Sequence, residues 1–274
     1  MMIALYVLLA FLVLGTVVAA IGTQAIRRKL PHLTRLQAFL WWFDVSLTRV
    51  LWGAAAPVEF DLPTDRGVVV VANHRSSVDP FFLEPRSAVT IRWMVAKEYV
   101  ESVLFGPFLR ACLVIPTNRG GVDTASTRAV VRVLEENGRV GMFPEGRINR
   151  TKDLFLPVRP GAALVAIKAK ALILPVYIEG SPYGGAAWTP LFMLARVKIH
   201  VGKPIDAALF YEELGSGIKE GEAASKLIVE VMRQIAALAG QPDFEPKLAG
   251  RNWRRGAGEK EEAAAEVSGE EPLE

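Results

Sequence analysis

A chain of 274 residues, 51% of them hydrophobic and 22% charged, is long enough for one well-cored domain with an anchor and a tail. Its single cysteine, Cys112, excludes an internal disulfide, and neither a C-x-x-C nor an H-E-x-x-H spacing is present to suggest a metal site. The formal charge of +3 hides an asymmetry: residues 256–274 carry seven Glu against one Lys, leaving a basic body of +9 that suits phosphate-bearing ligands or an anionic membrane face.

Residues 3–26 hold no charge and are apolar but for Tyr6, Thr16, Thr23 and Gln24. Roughly 20 such residues cross the hydrocarbon core, so residues 1–30 read as a transmembrane anchor with a basic flank. A cleaved signal peptide fits less well, because no basic region precedes the run and the run exceeds the roughly 7 to 15 residues of a signal core. Arg27, Arg28 and Lys29 follow directly, and the positive-inside rule then places the rest of the chain in the cytoplasm. Residues 31–56 form a second unit, with Leu36, Phe39, Leu40, Phe43, Leu47, Val50 and Leu51 at helical spacing. Trp41, Trp42 and Trp52 stand alongside, while Asp44 and Arg49 make it too charged for a second clean span. Two readings stay open: an amphipathic helix in the membrane interface, at the depth indoles favour, or a helix packing its stripe on the globular domain.

Over residues 57–240 strands and helices alternate, which predicts an α/β layered domain. Apolar runs predict strands at 67–72, 92–96, 113–116, 140–143, 173–178 and 197–201. Between them helices are predicted at 80–86, 99–111, 123–137 and 161–170, and a last one ends at Leu238, with Gly240 as its C-cap signal. Residues 241–274 are rich in Pro, Gly and Glu, too polar to bury a core, and read as a disordered acidic tail.

The most informative stretch is residues 67–80, GVVVVANHRSSVDP. A strand apolar enough to be buried on both faces ends abruptly at Asn73 and His74. The Asp79-Pro80 pair reads as N-cap and first helical residue, so His74 and Asp79 flank one strand-to-helix connection. In that setting the carboxylate can hold one imidazole nitrogen while the other takes a proton from a substrate hydroxyl. Asp79 as a cap alone, and His74 as a satisfied turn histidine, are the plain alternatives. Their joint position at the carboxyl end of a central strand, where open α/β sheets bind ligands, favours the chemical reading.

In residues 140–153, VGMFPEGRINRTKD, a second strand ends in charge. Arg147, Arg150 and Lys152 form a candidate phosphate clamp, with Glu145 placed to orient an arginine or bind a substrate hydroxyl; a solvated charged loop is the alternative. In residues 115–121, IPTNRGG, Arg119 stands beside two glycines that leave backbone amides open to an anion. In residues 173–179, ILPVYIE, Pro175 implies an edge position or a bulge near the site. Neither G-x-x-x-x-G-K-[ST] nor G-x-G-x-x-G occurs, which argues against a nucleotide-binding enzyme, and no G-x-S-x-G elbow offers a nucleophile.

The pairing of N-H-x-x-x-x-D with a later F-P-E-G, and the order of the four motifs across residues 57–204, resemble the glycerolipid acyltransferases typified by 1-acylglycerol-3-phosphate O-acyltransferase. The resemblance implies an αβ layered, glycerol-3-phosphate-acyltransferase-like domain beside N-terminal membrane helices. It implies His74 as general base, Asp79 orienting it, and Arg119 with Glu145 holding the phosphate end of a lysophospholipid acceptor. Gly146 would allow close approach, and Pro175 would mark the fourth motif. The implied partners are membrane lipids, the lysophospholipid and an acyl-CoA or acyl carrier protein co-substrate, with no further cofactor, no metal and no nucleic acid. The third motif departs from the family's usual Thr-Arg-Ser continuation: Arg147 follows Gly146 directly, and E-G-R-I is similar to the acyltransferases that acylate lysophosphatidylethanolamine. The head group of the acceptor therefore stays open between lysophosphatidate and a substituted lysophospholipid. A thioester hydrolase and an inactive lipid-binding protein are the rival classes.

Overall fold

The computed structural model describes residues 2–53, 60, 62–84, 87, 89–118, 124–186, 188–214 and 217–250. Helix α1 (Met2–Lys29) carries Arg27, Arg28 and Lys29 in its last turn, where cations complement the exposed carbonyls. Over Leu5–Lys29 it is long and apolar enough to cross a membrane, and the apolar window it contains is not buried in the protein. After a short turn Thr34 opens α2 (Arg35–Trp52) with a capping box: Gln37 N–H donates to Thr34 Oγ1 at 3.2 Å, and Thr34 N–H donates back to Gln37 Oε1 at 3.0 Å.

Helix α2 combines features of both readings of its stripe. Trp52 is fully buried, donates through Nε1 to the Met193 carbonyl at 2.9 Å, and joins Leu47 and Leu51 in the core. Leu36, Phe39 and Val50 remain exposed on the other side. Its C-terminal half packs on the domain, and its outer face stays apolar.

The described residues form a seven-stranded sheet from β1 (Val68–Ala72), β2 (Ile91–Ala96), β3 (Ile115–Thr117), β4 (Arg139–Met142), β5 (Leu172–Glu179), β6 (Lys198–Val201) and β7 (Ile205–Asp206). The order is β3-β2-β4-β1-β5-β6, with β7 also paired to β5. Strands β1 to β5 run parallel, and β6 and β7 are antiparallel to β5. Strand β1 lies between β4 and β5, with Val70 opposite both Gly141 and Leu174. Val69 and Val71 face a core built with α6 (Thr124–Glu135), α7 (Gly161–Lys168), α8 (Ala207–Leu214) and α9 (Glu220–Leu238). Val68, Val70 and Ala72 face the other core, with Trp52 of α2 and Phe82 of α3 (Asp79–Leu83). Burial on both faces accounts for the unbroken apolar run.

Several expectations need correction. The single helix predicted at 99–111 is two, α4 (Lys97–Glu101) and α5 (Gly106–Ala111): the backbone turns extended at Ser102, and Pro107, with no N–H to give a preceding turn, stands in the first turn of α5, where none is needed. Leu113, expected in a strand, has φ 56° and belongs to the turn before β3. The two residues of β7 are too few to show a period, and α8 follows them directly. Residues 241–250 are not a solvated tail: Phe244 packs edge-on against Phe155 at 5.3 Å, and Val158 exchanges backbone hydrogen bonds with Lys247 and Ala249. That segment retains enough apolar contact to dock, whereas residues 251–274 lie outside the described set.

Pro175 also takes a different position from the one expected. It is buried within β5, opposite Val71, and does not line the site. Leu172 N–H and Ile178 N–H both point toward β1, so alternation turns the Pro175 nitrogen toward the outer strands, between the stretches where β5 pairs with β7 and with β6. A missing donor costs nothing there, and the Pro175 carbonyl still accepts from Gly202 N–H at 2.8 Å.

Candidate active site

Where β1 ends, the chain leaves the sheet and its backbone groups need partners that no strand supplies. Asn73, buried, provides the first: its Oδ1 accepts from Ile178 N–H at 2.7 Å and its Nδ2 donates to the Ile178 carbonyl at 3.0 Å. Asn73 thus extends the pairing of β1 with β5 by one side chain.

Asp79 is fully buried, and one oxygen does three tasks. Its Oδ2 accepts from Arg75 N–H at 2.7 Å and Ser76 N–H at 2.8 Å, and it lies 3.0 Å from His74 Nδ1. Those backbone bonds run to the turn before the helix, so Asp79 is the first residue of α3 and not its N-cap; Val78 holds that place. A carboxylate on Nδ1 selects the tautomer with the proton there and leaves Nε2 as a lone-pair acceptor. Nε2 has no hydrogen-bond partner among the described residues, and His74 lines the main cavity.

The imidazole is also clamped by stacking. Its ring lies 4.0 Å from that of Phe143, at 7° to it, and Phe143 in turn stacks on Trp93 at 5.0 Å. Gly141 permits this arrangement, since a Cβ there would overlap the Trp93 indole.

Glu145 departs from its expected role. It is buried, and both oxygens serve backbone amides: Oε1 accepts from His74 N–H and Oε2 from Leu156 N–H, each at 2.8 Å. It does not line the cavity. Burial pushes its carboxyl up to about 7, against the opposing pull of the Leu156 and His74 amides. With both oxygens on backbone amides, Glu145 ties the backbone of His74 to the loop after β4.

The same loop is fastened twice more. Asn149 N–H donates to the His74 carbonyl at 2.7 Å, and Asn149 is itself buried, with its Oδ1 taking Thr151 N–H at 3.0 Å. The Arg75 guanidinium donates to the carbonyls of Asn149, Thr151 and Asp153. Neither Arg75 nor Asn149 is apparent from sequence as a clamp, because a partner set made of carbonyls leaves no pattern in residue types.

Of the expected cationic clamp, Arg147 and Arg150 line the cavity, while Lys152 is exposed and does not. Arg159, which follows the loop and carries no motif of its own, lines it instead. Gly146, at φ 69°, stands in a left-handed conformation with nothing within 4 Å of where a Cβ would be, so its backbone faces open space. Arg119 lies outside the described residues; its neighbours Thr117 and Asn118 line the cavity.

The cavity has a volume of about 820 Å³. It opens at the carboxyl ends of β1 to β4, beside His74, Thr117 and Phe143, and runs beneath α2 between apolar side chains such as Leu40, Phe43, Phe81 and Phe108. One end is therefore cationic and the remainder mostly apolar, the division an amphiphile requires. Cys112 borders it, but burial first, and then the Glu84 and Asp44 carboxyls, push the thiol up to about 12, so it stays protonated and is a poor nucleophile. Among the described residues there is no cluster of His, Cys, Asp or Glu that could hold a metal.

Residues 58–179 match the family model described as Acyltransferase. Over 151 residues the chain is 29% identical to the 1-acyl-sn-glycerol-3-phosphate acyltransferase of Bacillus subtilis, an overlap of 55% of this chain and 72% of that one. Over 174 residues it is 28% identical to the protein of the same name from Streptococcus pneumoniae, covering 62% of this chain and 61% of that one. The crystal structure of the 1-acyl-sn-glycerophosphate (LPA) acyltransferase from Thermotoga maritima has the same fold, with a TM-score of 0.55 at 20% identity over 86% of this chain and 95% of that one.

Proposed function

The chain belongs to the glycerolipid acyltransferase family, and we propose that it moves a fatty acyl group from a thioester donor to the free hydroxyl of lysophosphatidate. The observation that carries this reading is the 3.0 Å contact of His74 Nδ1 with Asp79, which directs the unprotonated Nε2 to a cavity that is cationic at one end and apolar beyond. In the reaction Nε2 takes the proton of the glycerol hydroxyl as its oxygen attacks the thioester carbonyl. The C–S bond then breaks, and the departing thiolate recovers the proton from the imidazolium, which the buried Asp79 carboxylate stabilises meanwhile. Arg147, Arg150 and Arg159 seat the phosphate, Arg being suited to paired contact with its oxygens. Acyl-CoA and acyl carrier protein both present the thioester this requires.

Attachment to the membrane fits the substrates, since both acyl chains partition into lipid and a site held at the interface meets them without extraction into water. Helix α1 is the anchor in this reading, and its terminal Arg27, Arg28 and Lys29 support a domain on the cytoplasmic side. Arg147 directly after Gly146 supports a second reading, in which the acceptor is a lysophospholipid with a substituted head group such as lysophosphatidylethanolamine. An acceptor panel with one labelled acyl-CoA tests both: lysophosphatidate is expected to be acylated faster than lysophosphatidylethanolamine and glycerol 3-phosphate. Preference for the ethanolamine lipid would move the assignment to the second reading, and thioester loss without acceptor consumption would replace transfer by hydrolysis.

A further inference from the structure

Within the apolar part of the cavity stand polar groups that the acyl-transfer machinery does not use. Asp44 of α2 and Glu84 at the end of α3 both line it, and the two carboxyls are close enough to repel each other's charge. Asp44 Oδ1 is buried and has no hydrogen-bond partner among the described residues. The indole N–H of Trp41, which also lines the cavity, is buried and equally unpartnered there, whereas that of Trp93 serves the Glu84 carboxyl. Trp41 stands one turn from Asp44 on the same helix face, and Trp93 lies beside Glu84. Glu84 spends its oxygens on one long pair of contacts with Ile91 N–H, each 3.3 Å.

Burial, with Glu84 adding to it for Asp44, pushes both carboxyls up, Glu84 to about 8, and a carboxyl in its acid form both donates and accepts hydrogen bonds. A plain hydrocarbon chain laid against this cluster would leave Asp44 Oδ1 and the Trp41 indole N–H unsatisfied, at a cost that proteins rarely accept. An acyl chain with a hydroxyl at this level would satisfy an acceptor and a donor at once.

We propose that Asp44, Glu84, Trp41 and Trp93 form a subsite for a hydroxyl group carried part-way along the acyl chain, so that the preferred donor is a hydroxyacyl thioester. The stacking contacts of 4.0 and 5.0 Å that link His74 to Phe143 and Phe143 to Trp93 place Trp93 two stacking steps from the His74 ring, which argues for a subsite part-way along the chain and not at its far end. This proposal rests on the acyl-transfer reading for the identity of the ligand, and its test separates the two.

The full-length protein in phospholipid vesicles is supplied with lysophosphatidate and either palmitoyl-CoA or its mono-hydroxylated isomers. One isomer, with its hydroxyl in the nearer half of the chain, is expected to exceed palmitoyl-CoA in kcat/KM by about tenfold or more. Replacing the pair by apolar residues of similar size, Asp44→Leu with Glu84→Met, is expected to erase that preference, while Glu84→Gln, which still hydrogen-bonds, retains it. Equilibrium binding of the same thioesters to the His74→Ala protein gives a readout free of turnover. A hydroxyacyl preference in binding, with no transfer by the unaltered protein, would overturn the acyl-transfer reading and uphold the subsite. Palmitoyl-CoA bound and used as well as every isomer, by the unaltered protein and by Glu84→Gln alike, would overturn the subsite and leave the cluster as a place for ordered water.

Discussion

Replacing Glu145 by Gln separates two effects that the structure sets against each other. At high pH the ionised carboxylate is buried at a cost: its pKa rises from an ordinary 4.5 to about 7, which corresponds to about 3 kcal/mol at 1.36 kcal/mol per unit. Because the folded pKa is raised, this cost is absent below the unfolded value, grows as pH climbs between the two, and is complete above the folded value. Gln removes it. The amide, however, has one oxygen where two backbone donors wait, so the N–H of His74 or of Leu156 is left facing an NH₂ group, worth about 1–3 kcal/mol. The expected result is a crossing: near pH 5 Glu145→Gln is the less stable protein, and near pH 8 it equals or exceeds the unaltered one, the gap changing by about 3 kcal/mol over the range. Urea unfolding of the two proteins side by side measures this, since other titrating groups cancel in the difference. Turnover should fall by about 10- to 100-fold with the KM for acceptor little changed, because the substitution loosens the backbone of the general base and removes no ligand. A stability difference independent of pH, or a raised KM at unaltered kcat, would refute the positioning role.

Other substitutions address the remaining roles. His74→Ala is expected to lower acyl transfer by about 10²- to 10⁴-fold with the acceptor KM retained, read by release of free CoA. In Asp79→Asn the side-chain oxygen can keep all three contacts of Oδ2, to the Arg75 and Ser76 amides and to His74 Nδ1, but the negative charge that stabilises the imidazolium is lost; kcat should drop by about 10²- to 10⁴-fold while the unfolding midpoint shifts little. Gly146→Ala meets no steric clash but holds a left-handed φ of 69°, so a loss of about 1–2 kcal/mol in stability is expected, together with a raised acceptor KM from the methyl group projecting into the cavity.

Much of the fold is legible in the residues because β1, β4 and β5 are apolar runs cut off by polar ones, the signature of strands covered on both faces. The pairing of His74 with Asp79 is legible for a related reason: one short turn holds both ends. Illegible features depend on distance in the chain. Arg159 and the α2 side chains reach the cavity only through tertiary packing, and the docking of residues 241–250 depends on Val158 and Phe155 nearly 90 positions earlier. Pro107 is a local signal against one helix over 99–111, and it needs no tertiary context to be seen.

The conduct of Glu145 shows where residue type stops predicting role. Four successive residues at the end of β1, Asn73 to Ser76, leave the sheet, and their hydrogen bonds are met by side chains or loop amides: the Asn73 amide reaches Ile178, Glu145 takes the His74 N–H, Asn149 supplies the His74 carbonyl, and Asp79 takes the Arg75 and Ser76 amides. A sequence pattern records an acid near a base and an acid near arginines, yet both acids are engaged by backbone amides, and only Asp79 also touches the imidazole. The polar motif is in large part a replacement for the missing ladder, built so that one ring nitrogen, His74 Nε2, is left with a fixed direction and no protein partner among the described residues. Rigidity of the base and the chemistry of the site therefore have a common origin, and substitutions that leave every ligand in place can still reduce turnover.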